Sequence, residues 1–375
     1  MRSSASVAIS EQEYAERRER LAENLEERGL DAIFLPPSSD LEYLTGLGRD
    51  LPSFGNLSYA HGWVAGAFVA PGREPLFVLP RMVVDFHLGG IAPPAAVVVR
   101  EDADGRALFG EAARSLGAPS RLAIGARASA ETALELQHAL PGVELMEGSS
   151  LVNRLRRVKS EAELQLMGRA CAVARAAMAA TAPRVEPGVT MGELAEEVEH
   201  RLRAAGSRCP SFPTHVFTWG DRPLDSGDAT ATERLPDGEP VLFDFGAVVE
   251  GYCSDFGRTV VCGEPPAEYE EARAAMLAAH AAGWAAAVPG ALARDVNAAC
   301  RAQIEAAGLG GGFRHRMGHG IGLDVHERPF LSVEDETPLE AGMTFTDEPS
   351  ILVDGRFGVR VEDVIAVAPG GARLL

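Results

Sequence analysis

Cysteine is scarce in this 375-residue chain. Cys171, Cys209, Cys253, Cys262 and Cys300 are odd in number and form no CxxC pair. The pattern argues against a disulfide framework and for a reducing, cytoplasmic setting. Cys253 lies two residues before Asp255 and invites a redox or metal role, but a buried structural thiol is the simpler reading. Basic residues are also in short supply: 35 Lys and Arg against 54 Asp and Glu give a net charge of −19. Phosphate binding needs Lys/Arg patches, so a nucleic-acid partner is set aside. Long apolar runs are missing too. No stretch reaches the roughly 20 residues of a membrane span. The N-terminal MRSSASVAISEQEYAERRERL has no apolar core of a secretory signal. No internal repeat stands out, and the Ala-rich segments are good helix formers that need no functional account.

What remains is an ordinary soluble composition, 46% apolar and 24% charged, and enough length for two domains. Residues from about Glu11 to Gly29 read as an amphipathic helix, and DAIFLPP as a buried strand running into a loop. GWVAGAFVAPG and EPLFVLP read as strands, RALFGEAARSLG as a helix and RLAIGA as another strand. Residues 1–155 therefore form a small α/β domain without a cluster of ligand-type residues. Residues 156–375 form the second domain. Its helices begin near Lys159, in MGELAEEVEHRLRAAG, at about Ala267–Val288 and at Ala293–Ala307. The fold class is α/β in the broad sense (α+β).

The second domain carries five donors suited to metal. Asp244 sits in VLFDFG, Asp255 in GYCSDFGRT, His319 in MGHGIGLDVHE, Glu348 in TFTDEPSI and Glu362 in GVRVEDV. Four carboxylates and one imidazole make a hard set, suited to two divalent ions bridged by shared carboxylates. Each is weak alone: Asp244 as a strand-end aspartate, Glu348 as a surface-loop acid, Glu362 as the partner of Arg360 on a solvated face. If Val249 and Glu250 form a two-residue turn, Asp244 and Asp255 fall directly opposite, with Cβ atoms about 4.5–5.5 Å apart. Such a like-charged pair needs a cation between its members; a longer loop or a bulge would break the register. His315, His319 and His326 fall within a dozen residues, so one can ligate while the others handle protons or substrate.

The ordered set DFG…GYCSDFGRT, GHGIGLDVHE, DEPSI and GVRVED resembles the pita-bread metallopeptidase family, which includes methionine aminopeptidase, aminopeptidase P, prolidase and creatinase. ERLAENLEERGLDAIFLPPSSDLEYLTGL resembles the start of the N-terminal domain of the aminopeptidase P, prolidase and creatinase branch, and RLRRVKSEAELQLM its joint to the catalytic domain. The resemblance implies a creatinase-type N-terminal α/β domain and a C-terminal pita-bread domain with a curved antiparallel sheet. It implies two divalent ions (Mn²⁺, Co²⁺, Fe²⁺ or Zn²⁺) on Asp244, Asp255, His319, Glu348 and Glu362, with Asp255 and Glu362 bridging. Bound solvent would be the nucleophile, Glu348 the proton shuttle, and His326 the residue that contacts substrate. His315 matches a further histidine of the proline-specific branch, and Arg360 a group orienting Glu362 or meeting substrate. A homodimer in the cytoplasm is implied as well, with no membrane partner.

One departure matters. Proline-specific members carry a histidine before the first hairpin aspartate, in a segment like SGxNxxxxH. Here FTWGDRPLDSGDATATERL puts Asp225, Ser226 or a close neighbour there, and His215 lies further upstream than the spacing favours. EPS replaces the usual EPG. The resemblance thus points to a metallopeptidase of the Xaa-Pro dipeptidase or aminopeptidase kind acting on small peptides. The altered segment keeps open a metal-dependent hydrolase or lyase acting on a small non-peptide metabolite. A binding module on a disused scaffold is disfavoured, since no ligand position is lost.

Overall fold

A computed structural model describes residues 8–49, 60–117, 119–218, 232, 234–353 and 355–375. Asp225 and Ser226 lie outside the described residues. The chain divides into two compact units, Ile9–Arg156 and Arg157–Leu375.

In the first unit the helix Glu11–Glu27 starts at Ser10, whose hydroxyl accepts from Glu13 N at 3.1 Å. Six short strands follow: β1 (Ala32–Leu35), β2 (Gly66–Val69), β3 (Leu76–Pro80), β4 (Ala96–Val99), β5 (Arg121–Ile124) and β6 (Glu144–Glu147). They form one mixed sheet in the order β4-β3-β2-β1-β5-β6. β1, β5 and β6 run parallel, whereas β1–β2 and β2–β3 are antiparallel. The apolar runs read from the sequence supply this core. Phe34, Phe68 and Phe109 meet there with ring centroids 4.8–5.4 Å apart.

The second unit is built on a curled antiparallel sheet. Its strands are β7 (His215–Thr218), β8 (Glu239–Phe245), β11 (Phe256–Cys262), β12 (Gly318–Gly320), β13 (Glu327–Leu331), β14 (Thr344–Asp347), β15 (Ser350–Val353), β16 (Phe357–Ala368) and β17 (Gly371–Leu374). The order is β13-β12-β14-β16-β11-β8-β7, with β15 and β17 also paired to β16. The short β9 (Val248–Val249) and β10 (Tyr252–Cys253) close the hairpin between β8 and β11. Helices Glu161–Thr181 and Met191–Ala204 cover part of one face, packing Ala170, Ala174, Val198 and Leu202 against Phe243 and Phe245. Helices Tyr269–Ala286 and Ala293–Ala306 cover another part, packing Met276, Ala279 and Val296 against Phe345 and Ile365. No described helix is long and apolar enough to cross a membrane.

The hairpin corrects one expectation. Tyr252 pairs with Val249 and Cys253 with Val248, so the turn is Glu250–Gly251 rather than Val249–Glu250. Both turn residues have positive φ, +48° and +83°. Glycine reaches that region freely, and two-residue hairpins favour it, while β-branched Val249 stays extended. Asp244 therefore faces Gly257, and Asp255 sits two residues from the predicted position.

The second unit's first long helix is fixed by a reciprocal cap. Glu163 N donates to the Ser160 hydroxyl at 3.2 Å, and Ser160 N donates to Glu163 Oε2 at 2.9 Å. Replacing Ser160 by Ala is expected to lower this unit's stability by about 1 kcal/mol, measured as an earlier urea midpoint.

Candidate metal centre

The floor of the centre is three adjacent strands. Gly257 of β11 pairs with Asp244 of β8 on one side and with Glu362 of β16 on the other. A Cβ at Gly257 would come within 2.5 Å of Glu362 Oε2 and 2.7 Å of Arg360 Cδ. Glycine there leaves the space the flanking acids need. Asp255, two residues before Gly257, lies on the same face by strand alternation. Asp244, Asp255 and Glu362 each offer an oxygen, and these atoms all lie within 4.8 Å of one another.

The other two donors come from β12 and from the residue after β14. His319 Nε2 is 3.5 Å from Asp255 Oδ2 and 3.4 Å from Glu348 Oε1. Nδ1 of the same ring faces Gly320 O at 3.1 Å, which holds the proton on Nδ1 and leaves the Nε2 lone pair for a ligand. Burial, with His326 adding, pushes the His319 pKa down to about 3, so the ring is neutral. Thr346 ties the two donors together: its hydroxyl accepts from His319 N at 3.0 Å and donates to Glu348 Oε1 at 3.1 Å.

The electrostatics call for cations. Burial, with Asp244 and Glu348 adding, raises the Asp255 carboxyl well above the usual range. Burial, with Asp255 and Glu348 adding, does the same to Glu362. Asp255 Oδ1 and Glu362 Oε2 are buried without a hydrogen-bond partner. Arg360 reaches in to pair with Asp244 Oδ2, and the same guanidinium nitrogen is 3.8 Å from Glu362 Oε2. One guanidinium against four carboxylates leaves negative charge over. Orphaned hard oxygens beside one neutral imidazole fit divalent cations in kind.

All five expected donors thus converge. His326 packs edge-on to His319 with ring centroids 4.1 Å apart. His315 hydrogen-bonds through Nε2 to the Ser350 hydroxyl, and its Nδ1 meets Arg316 O at 2.6 Å. Burial lowers the pKa of both histidines. Arg360 lies in the centre rather than on a solvated face, and Glu348 is buried rather than on a surface loop. These residues border a cavity of about 960 Å³ that Phe212, Phe313 and Phe330 also line.

Three features escaped the sequence reading. His215 is paired directly with Asp244 across β7 and β8 and lines the cavity, despite its unfavourable spacing in the chain. Thr346 carried a signal, since it shares a strand face with Glu348 two residues on. Behind the sheet, Asp347 and Asp363 face each other across β14 and β16. Arg258 holds Asp363 at 2.7 and 2.9 Å, and His280 Nε2 is 3.4 Å from it. Burial raises Asp347 to about 7, and the Cys300 thiol is 3.6 Å from its Oδ1.

Comparison with known proteins settles the family. Residues 165–369 match the model of metallopeptidase family M24, and residues 17–158 match the creatinase/prolidase N-terminal domain. The chain belongs to metallopeptidase family M24. It is 28% identical to an Xaa-Pro dipeptidase of Pyrococcus horikoshii, over 96% of each chain. An Xaa-Pro dipeptidase from Bacillus anthracis superposes with a TM-score of 0.83 at 29% identity, covering 96% of this chain and 97% of that one. Dipeptidase PepE from Mycobacterium ulcerans gives 0.81 at 30% identity, covering 98% and 96%. This M24 peptidase is therefore a hydrolase with a creatinase-type N-terminal domain, a pita-bread catalytic domain and a family need for divalent metal.

The raised acids give the metal-free protein a distinctive pH response. Asp255 and Glu362 have folded pKa values above their ordinary 3.8 and 4.5. Their contribution is present below those values and is lost as pH rises through the folded ones. Chelator-treated protein is expected to melt at lower temperature as pH increases from about 5 to 8. Added Mn²⁺ should raise the melting temperature more at pH 8 than at pH 5, which differential scanning fluorimetry reads directly.

Proposed function

We propose that this M24 peptidase holds two divalent ions and cleaves small Xaa-Pro peptides, as an Xaa-Pro dipeptidase or aminopeptidase. The observation that carries the reading is the convergence of Asp244, Asp255, His319, Glu348 and Glu362 in one buried cluster at a cavity bordered by three further histidines. Asp244, Asp255, His319, Glu348 and Glu362 would hold the ions, and the unpartnered buried oxygens of Asp255 and Glu362 favour this. Bound there, divalent ions would supply Lewis acidity toward the scissile carbonyl and lower the pKa of water. Hard oxygens with one imidazole suit Mn²⁺, Co²⁺, Fe²⁺ or Zn²⁺.

The chain's own residues account for the rest. Glu348 is fixed at Oε1 by the Thr346 hydroxyl, which leaves Oε2 to take a proton from water and hand it to the leaving amine. His326 presents an exposed ring at the cavity and donates to the carbonyl oxygen of the substrate as charge develops there. His315 and His215 flank the floor and orient the peptide backbone, His215 taking up the work of the histidine missing near Asp225. Arg360 balances charge at Asp244 and Glu362 and keeps both carboxylates aimed at the ions. The peptidase works in the cytoplasm as a homodimer on this reading.

The test is reconstitution. Chelator-stripped protein should hydrolyse Xaa-Pro dipeptides or longer Xaa-Pro peptides only after Mn²⁺, Co²⁺, Fe²⁺ or Zn²⁺ is added, with about two ions bound per chain by elemental analysis. Absence of turnover with every ion, or turnover of non-peptide metabolites alone, overturns the specificity. His326→Ala should cut kcat by about 10²–10³-fold while metal content stays unchanged.

A further inference from the structure

Lys159 is the single lysine among the chain's 35 basic residues. Every other cationic side chain is arginine, yet this position, buried where the chain enters the catalytic unit, is not. Its side chain is 1% exposed, and its Nζ donates to Glu327 Oε2 at 3.2 Å across 168 residues of sequence. Glu327 is 7% exposed and directly follows His326. A buried ion pair of this kind contributes little stability beyond what packed apolar residues would give. The geometry around it gives the pair a conformational task instead.

The geometry indicates which. Glu327 begins β13 and closes the loop 321–326, its Oε1 accepting from Asp324 N at 3.1 Å. Lys159 is itself fixed, because its N donates to Gly342 O at 2.9 Å beside the Val158–Met343 bridge that leads into β14. The far side of the loop is tied to β10, where Cys253 N donates to Gly322 O at 2.8 Å. Space explains the lysine. A Cβ on Gly322 would lie 3.0 Å from Lys159 Cε and 2.9 Å from Glu327 Oε1, so the loop backbone presses directly on the pair. A lysine stem is narrower than a planar guanidinium, which suits so close an approach of backbone.

We infer that Lys159 and Glu327 are positioning residues, an internal clamp that holds the loop so that the His326 ring stands against His319 and faces the cavity. Neither touches substrate. The clamp rests on the role proposed above for His326, and it acts on the chemical step more than on substrate binding.

The test separates positioning from stability. Lys159→Met alone takes the ammonium away from a buried carboxylate; it should lower the melting temperature and lower kcat on an Xaa-Pro dipeptide by about tenfold or more. The double variant Lys159→Met with Glu327→Leu should recover most of the melting temperature, because apolar pairs replace buried ion pairs well, while kcat stays depressed. KM should move less than about twofold and metal content should be unchanged in both. Glu327→Gln, which keeps the shape, covers the case in which the double variant does not fold; its kcat should also fall. Recovery of kcat together with stability, a KM rise that tracks the kcat loss, or loss of metal in proportion to activity overturns the clamp. The parent's turnover decides the function itself. In the absence of any substrate, the imidazole resonance assigned by its loss in His326→Gln should be single in the parent and broadened or doubled in Glu327→Gln. An unchanged line overturns the clamp independently.

Discussion

The structure depends on the cost of crowding carboxylates away from water. Asp244, Asp255, Glu348 and Glu362 share one buried space with one guanidinium among them. Like charges at such distances in a medium of low dielectric repel strongly, and each buried ion also loses its hydration. Divalent cations would convert that liability into affinity. Burial, with His326 adding, keeps His319 neutral and its Nε2 available.

Strand geometry is what brings remote residues to this point. The antiparallel sheet lines up β8, β11 and β16 so that one glycine separates two acids, and β12 and β14 deliver the imidazole and the remaining carboxylate from the next strands along. The helices packed behind support the sheet, and small displacements of catalytic groups are costly in rate.

Much of this was legible in the sequence, and the limits have physical causes. The ordered motifs marked the side chains that the fold brings together, because each motif is local to a few residues. Period-2 alternation placed Arg360 and Glu362 on one face of β16, but not which face was buried, since that depends on what the sheet packs against. The hairpin register was misread by one turn position: the deciding factor was which residues tolerate positive φ, and Gly251 outweighed Val249. His215 was undervalued because its place opposite Asp244 follows from the pairing of β7 with β8, which spacing along the chain does not encode. Lys159 and Glu327, 168 residues apart, belong to the same class of information.

The acids behind the sheet bear on how the chain finds its alignment. β14 and β16 each place a carboxylate on both sides, Asp347 beside Glu348 and Asp363 beside Glu362. A slip of β14 by one position would carry Asp347 to the front, one methylene short, and send Glu348 backward among Cys300 and the helices. Arg258 and His280 hold Asp363 from behind and resist the matching slip of β16. The rear contacts of Asp363 thus fix which side of β16 turns toward the helices, and with it the side on which Glu362 stands.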